Sequence, residues 1–528
     1  MSRDGDGPAA QTGFAQAAIR GSLWTALQAA VNKLAAAGAT FALGFLLQPS
    51  EFGAAWFAVS AALLVSCFHV IALGDVLLAY PAYIVRLAVP AQRLAAFLAM
   101  AQCSVILAAG VVLSRVYPDR QWLLGLMAVA ACRPLSDAFA VVPLARLRQA
   151  LRFRAISIID GASALGASIS SVGMAWMGGG PFAIVVPPIV LIVVRGALYR
   201  RAAGPAPRSN RPFRGTGPLL RRASLSAFGS YVAGVLFLLE TMVLGLSVSE
   251  RSLGLFAFAF GLASQVNSIV SFQVAGALQP IFGHIEDDPR RQIDGLLRSC
   301  RLVAALLVPV LLVQAAVGGE FIRIAWAGKW DDAVMIFQIL SVGQALYVCQ
   351  WPAAFVLKSQ GRFRAYVKLQ LLNIIIAAGG FVLAIRFGGS FASEVARWFG
   401  SDLPSDAVAP VAVASTAVTI LATFGPLTLW IAGRRFGLAM RTALDVLWRP
   451  WVVALPMAIL AGWLVRTVAD STELARTAEA ALILLVAGGF ASASVCGAFL
   501  LSQSTRADGL AIVRVIHMRW IALRQHLP

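Results

Sequence analysis

Three cations stand inside long apolar stretches of this 528-residue sequence: Lys33, Arg133 and Arg195. A lysine or arginine in such surroundings is unfavourable by about 2.5–3.5 kcal/mol even on the lenient membrane-insertion scale, so each asks for an acid, a hydrated cavity or an anionic ligand. Asp137 follows Arg133 by one helical turn, and mutual neutralisation is the plainest reading of that pair. Lys33 has no acid within reach on its own segment. It adjoins a helical face carrying Thr25, Gln28 and Asn32, and such a polar face looks inward. Lys33 is therefore the first candidate for holding an anionic headgroup, with Arg133 second and Gln28 and Asn32 beside them. Glu240, an acid in the middle of an apolar stretch, has three readings: a proton or cation site, a charge partner for Lys33, or a side chain facing water. Asp75, Asp160 and Arg195 lie near stretch ends, where a solvated, snorkelling side chain is the plainer reading. Asp75 is kept with Glu240 and Asp137 as a candidate for ion coupling or charge pairing.

A second polar stripe, Ser264, Asn267, Ser268 and Ser271 with Gln265 and Gln273 alongside, reads first as tight helix packing and second as ligand contact through Gln265 and Asn267. Gln338, Ser341 and Gln344 repeat that ambiguity. Catalytic chemistry has no foothold. The four histidines are scattered, the six cysteines lack metal-ligand spacing, and Gly328-Lys329-Trp330 lacks the glycine-rich loop of a phosphate cradle. A chain that is not an enzyme, and that uses no cofactor, metal or disulfide, is the expectation.

The elements that must position these residues follow from composition. With 59% hydrophobic and 13% charged residues, the chain cannot cover itself with polar surface in water. Apolar runs of about 20 residues, the length of a membrane-crossing helix, recur along it. The breaks predict fourteen helices at 21–47, 54–79, 93–114, 122–145, 155–178, 180–199, 224–247, 254–282, 299–318, 333–357, 366–387, 410–432, 450–468 and 478–502. With both termini cytoplasmic, inside segments carry 31 Lys/Arg and outside segments 9, so the +19 net charge is a topology and lipid-headgroup signal rather than a nucleic-acid one. No removable signal peptide is expected in Met1–Arg20.

Arg152-Phe153-Arg154-Ala155 recurs as Arg362-Phe363-Arg364-Ala365, each before the fifth helix of a half, and Gly53, Phe57 and Ala58 echo as Gly254, Phe258 and Ala259. The expectation is an all-α polytopic membrane protein of two parallel six-helix lobes plus two C-terminal helices. Its segments are a cytoplasmic N-terminus (1–20), an N-lobe (21–199), a basic linker (200–223), a C-lobe (224–432), an appended helix pair (433–502) and an amphipathic cytoplasmic tail (503–528). Prolines inside spans, such as Pro134, Pro309 and Pro352, mark places for kinks.

Gly21-Ser22-Leu23-Trp24, Leu47-Gln48-Pro49-Ser50-Glu51-Phe52-Gly53, Gln279-Pro280-Ile281-Phe282 with Glu286-Asp287-Asp288-Pro289, Gly328-Lys329-Trp330 and Gly361-Arg362-Phe363 together resemble the oligosaccharide flippases. These form the polysaccharide-transporter branch of the superfamily that also holds multidrug/cation antiporters and peptidoglycan-precursor flippases. The resemblance implies fourteen helices, two lobes and export of undecaprenyl-diphosphate-linked repeat units across a bacterial inner membrane for surface polysaccharide, whether O-antigen, capsule or exopolysaccharide. The implied partners are that lipid-linked oligosaccharide, anionic lipid headgroups and other polysaccharide-assembly proteins. An ion-coupled small-molecule antiporter of the same superfamily is the main alternative, and a membrane polymerase or ligase a weaker one, because the longest external loop, about Gly388–Ala409, is short and lacks histidine.

Overall fold

A computed structural model describes residues 8–66, 77, 84–120, 122–205, 216–284, 289–360, 362–398, 403–471, 476–501 and 506–507. Among these residues every regular element is helical. In chain order the helices are α1 (Pro8–Leu46), α2 (Pro49–Ser66), α3 (Ile84–Val116), α4 (Leu123–Ala130), α5 (Arg133–Gln149), α6 (Phe153–Trp176), α7 (Phe182–Ala203), α8 (Thr216–Ser247), α9 (Glu250–His284) and α10 (Pro289–Ala325). After a 3-10 turn (Asp331–Ala333) come α11 (Val334–Tyr347), α12 (Gln350–Ser359), α13 (Phe363–Phe387), α14 (Gly389–Trp398), α15 (Ser405–Gly433), α16 (Met440–Ser471) and α17 (Arg476–Leu501). Twelve segments of the described residues are long and apolar enough to cross a membrane. The long helices α8 and α9 occupy the seventh and eighth expected positions. Large apolar side chains point outward, as Ile169 (71% exposed), Ile375 (69%) and Leu485 (73%) do, which suits helices solvated by lipid.

The chain divides into two compact units, Met1–Ala257 and Phe258–Pro528. In the first, α6 packs between α1 and α7, and α5 joins α3 to α7. Small buried residues, Ala88, Ala91, Ala95 and Ala99 on α3 against Ala138, Val141, Val142 and Ala145 on α5, let those backbones approach closely. In the second unit α10 is central: α11, α16 and α17 pack along it, and its Leu296–Val317 face shares one core with Ala454, Ala458, Ala461 and Ile483.

Two expected spans are interrupted. The span predicted as continuous over 122–145 is two helices, α4 and α5, parted at Ala131-Cys132. Pro134 is the cause: it lacks an N–H, and its fixed φ suits the first turn of a helix, so the chain restarts there. The span expected over 333–357 breaks likewise at Val348-Cys349, just before Pro352.

The repeated Arg-Phe-Arg-Ala has a structural counterpart. Arg152 and Arg362 stand at the N-caps of α6 and α13 with nearly the same backbone angles, φ −79°, ψ 48° and φ −82°, ψ 41°. Each donates from Nη1 to a carbonyl near the end of the following long helix, Arg152 to Ala202 at 2.6 Å and Arg362 to Ile431 at 2.9 Å. A helix C-terminus leaves carbonyls without intrahelical donors, and a guanidinium there satisfies both hydrogen-bonding and charge. Burial and the neighbouring Arg435 and Arg434 hold the Arg362 pKa below its usual value.

Candidate functional site

The first unit collects charge on three helices, α5, α6 and α7. Arg133 is the first residue of α5, beside the proline break, and its Nε lies 3.8 Å from Asp137 Oδ2. Arg195 on α7 joins that pair, 3.6 Å from Asp137, and reaches Asp160 on α6 at 3.8 Å. Asp160 also accepts hydrogen bonds from Gln28 Nε2 of α1, at 3.0 Å, and from the Tyr199 hydroxyl of α7. The result is a chain of side chains running from Arg133 through Asp137, Arg195 and Asp160 to Gln28. At about 1.5 Å of rise per residue, Asp160 sits about 10 Å in from the start of α6, so the chain lies within the helical bundle rather than at its rim.

The ion pairs are loose. At 3.6–3.8 Å neither arginine is hydrogen-bonded to its carboxylate, and both Nε–H groups are buried with no acceptor among the described residues. The side chains remain partly open, Arg133 at 30% and Arg195 at 32% exposure. The more open Nη ends of two such guanidiniums can bind an oxyanion bidentately, the geometry in which arginine and phosphate match best.

Asp160 and Arg195, expected as solvated stretch ends, are instead members of this network. The correction has a simple origin: each lacks an opposite charge on its own helix at helical spacing, and only the packing of α6 against α7 brings them together. Tyr199, nearly fully buried, was not anticipated at all. Its closeness to Arg195, one turn away, was the available signal.

The remaining candidates are dispersed. Asn32, one turn beyond Gln28 on α1, has a buried Oδ1 that accepts no hydrogen bond from the described residues. Lys33 is half-buried next to it, and Glu240 is half-buried on α8. Gln265 is half-buried on α9. Asn267 is buried and donates to Gln344 Oε1 at 2.5 Å, while Gln314 donates to Ser341 and to the Ala263 carbonyl, so part of this polar stripe stitches α9, α10 and α11 together. Asp75 lies outside the described residues. At the second helix break Gln350 is buried, with an Oε1 that has no donor among the described residues.

Interrupted helices at matching places in two halves are a recognised mark of transporter binding sites, because unpaired backbone groups and polar side chains gather at the break. Here both fourth helices are broken before a proline, one at Arg133 and one at Gln350.

Comparison with known proteins gives a consistent picture. The sequence profile of a family described as polysaccharide biosynthesis protein matches residues 42–335. The lipopolysaccharide biosynthesis protein WzxC of Escherichia coli (strain K12) is 21% identical over 335 residues, spanning 62% of this chain and 64% of that protein, a little under two thirds of its length. Among solved structures, the lipid II flippase MurJ in an inward closed conformation superposes with a TM-score of 0.62 at 12% identity, covering 90% of this chain and 98% of that one. An inward-facing multidrug resistance MATE family transporter of the MOP superfamily gives 0.54 at 13% identity, covering 77% and 96%. At such identities the structural likeness establishes the fold.

Proposed function

Because the chain belongs to the polysaccharide biosynthesis protein family, we propose that it is a flippase carrying undecaprenyl-diphosphate-linked oligosaccharide repeat units across the bacterial inner membrane by alternating access, with both termini cytoplasmic. The observation that carries this reading is the pair of under-bonded guanidiniums, Arg133 and Arg195, inside the bundle. A diphosphate needs such donors more than any other part of the cargo. Each sugar hydroxyl taken into hydrocarbon without a partner costs roughly 1–3 kcal/mol and a diphosphate far more, so a polar, hydrated path must replace water for the headgroup while the prenyl tail stays in lipid.

In this reading Arg133 and Arg195 take the diphosphate, Lys33 supplies a further positive charge on α1, and Gln28 and Asn32 offer amide contacts to the first sugar. Asp137 and Asp160 keep the arginines in place when cargo is absent. Gln265 lies on the other polar stripe, and Asn267 reaches cargo only by leaving Gln344. Glu240 is the coupling carboxylate: one charge moved through 100 mV supplies about 2.3 kcal/mol, enough to bias a cycle.

The test is a deletion strain. It should accumulate lipid-linked repeat units on the cytoplasmic face and lose surface polysaccharide, with recovery by the wild-type chain and not by Arg133→Gln/Arg195→Gln at equal protein level. Normal surface polysaccharide in the deletion strain, with no second exporter present, would sink the proposal.

A further inference from the structure

The second unit holds a cavity that none of this chemistry uses. It measures about 200 Å³ and is bordered by Glu320, Arg323, Asp331, Asp332, Gln338 and Arg466. Four helix ends meet there: the end of α10, the turn that opens α11, the start of α15 and the last part of α16. All four are ends that the proposed orientation places outside the membrane.

We propose that this cavity is a second binding site, opening to the external face, that takes one sugar residue of a neutral glycan. The inference rests on the flippase reading only for where the glycan comes from; the recognition itself is argued from the cavity. Its volume corresponds to on the order of seven liquid-water molecules at about 30 Å³ each, the scale of a single sugar ring. Its charges come in both signs. Glu320 is held by Arg323 at 3.0 Å and by Arg466 at 3.9 Å, and Asp331 and Asp332 add two more carboxylates. Three acids against two guanidiniums leave no positive excess to attract a phosphate. A divalent cation is equally ill served, because among the described residues no group of three His, Cys, Asp or Glu side chains is placed to hold a metal ion. What remains is a ring of acceptors and donors at close quarters. A sugar hydroxyl both donates and accepts, so vicinal hydroxyls can bridge a carboxylate and an amide or guanidinium.

One glycine supports the arrangement. A Cβ on Gly319 would stand 2.9 Å from Val334 and 3.1 Å from Gln338 Nε2. The bare backbone therefore leaves Gln338 room to present its carboxamide to the cavity. Gln338 is the fifth residue of α11, whose opening turn carries the two aspartates, so amide and carboxylates border one small volume.

The experiment uses the full-length chain in detergent micelles and ligand-detected saturation-transfer NMR with methyl glycosides of glucose, galactose and mannose. At least one glycoside should show transfer, and the signal should fall several-fold in Asp331→Asn and in Gln338→Ala at unchanged melting temperature. Asp332→Asn replaces either variant that does not purify folded. Absence of transfer to all three glycosides, an undiminished signal in the cavity variants, or displacement of the glycoside by calcium or inorganic phosphate overturns the site. A signal that survives Asp331→Asn and disappears in Arg195→Gln overturns its placement. Cargo accumulation in the deletion strain is read separately, so failure of the cavity and failure of the flippase reading are distinguishable.

Discussion

A charge in a membrane protein is informative through what surrounds it, and Asp160 is the member of the network with most to lose. It receives Gln28, Tyr199 and Arg195 from two other helices. Asp160→Asn keeps the shape and removes the negative charge, leaving Arg195 with Asp137 alone. The expected outcome is a loss of about 1–3 kcal/mol in stability, the usual penalty for a buried polar group that loses its charged partner, read as a lower melting temperature in detergent. Lys33→Gln separates binding from folding differently. If Lys33 holds cargo, the variant reaches normal levels and export stops; if Lys33 is a structural partner of Glu240, folded protein drops and the added change Glu240→Gln restores it. Full export by a normally expressed Lys33→Gln variant removes the lysine from the binding set. At this scale the sequence was half legible. Arg133 with Asp137 could be read from helical spacing, whereas Arg195 with Asp160 could not, since the azimuth at which α6 faces α7 is a property of packing.

Helices of the first unit meet at a point the internal repeat had marked. Gly53 on α2 and Gly254 on α9 approach so closely that a Cβ on Gly53 would lie 1.9 Å from the Glu250 carbonyl, and one on Gly254 would lie 1.7 Å from the Pro49 carbonyl. Gly53 and Gly254 are matched repeat positions, and so are Pro49 and Glu250, so the contact is nearly symmetric. Arg120 secures it, donating to the carbonyls of Gly245 at 2.6 Å and Val248 at 2.8 Å, and Tyr117 donates to Leu246 at 2.6 Å. Gly53→Ala should therefore separate α2 from α9 rather than be absorbed by a rotamer change, because the obstacle is backbone. Its expected signature is new reactivity of a Ser252→Cys probe toward a water-soluble thiol reagent, Ser252 being buried in the unaltered contact. Glu250 gives the same contact a pH dependence. Burial raises its carboxyl pKa and Arg120 only partly opposes this, so the folded contact prefers the protonated acid. That contribution is complete below the ordinary carboxylate range, near pH 4, and is lost as pH rises through the raised folded value. Wild-type melting temperature should fall relative to Glu250→Gln over that rise; parallel curves would remove Glu250 from the account. Repeats were readable here because glycine and the Arg-Phe-Arg-Ala caps are demanded by backbone geometry. The two helix breaks were visible only as prolines, since proline in a membrane helix is as often tolerated as disruptive.

For the whole chain, length and hydropathy carried the fold. Helices in lipid must satisfy their backbones internally, so apolar length translates into element number with little interference from tertiary context. Sidedness depends on a separate quantity, the 31-to-9 division of Lys and Arg. If that division sets orientation, Ser390, exposed at the start of α14, faces the periplasm, while Ser209 in the arginine-rich linker, which lies outside the described residues, faces the cytoplasm. With the native cysteines replaced, a membrane-impermeant maleimide should label Ser390→Cys in intact cells and Ser209→Cys only after the inner membrane is opened. The stakes reach both proposed sites. In the first unit this topology puts Asp160 in the cytoplasmic half of α6 and Arg195 in that of α7, on the side where lipid-linked cargo is assembled, and in the second unit it puts the Glu320–Asp331 cavity at external helix ends. Labelling of position 209 from outside would invert both assignments at once: the guanidinium pair would then meet the cargo after crossing, and the polar cavity would face the compartment in which it is made.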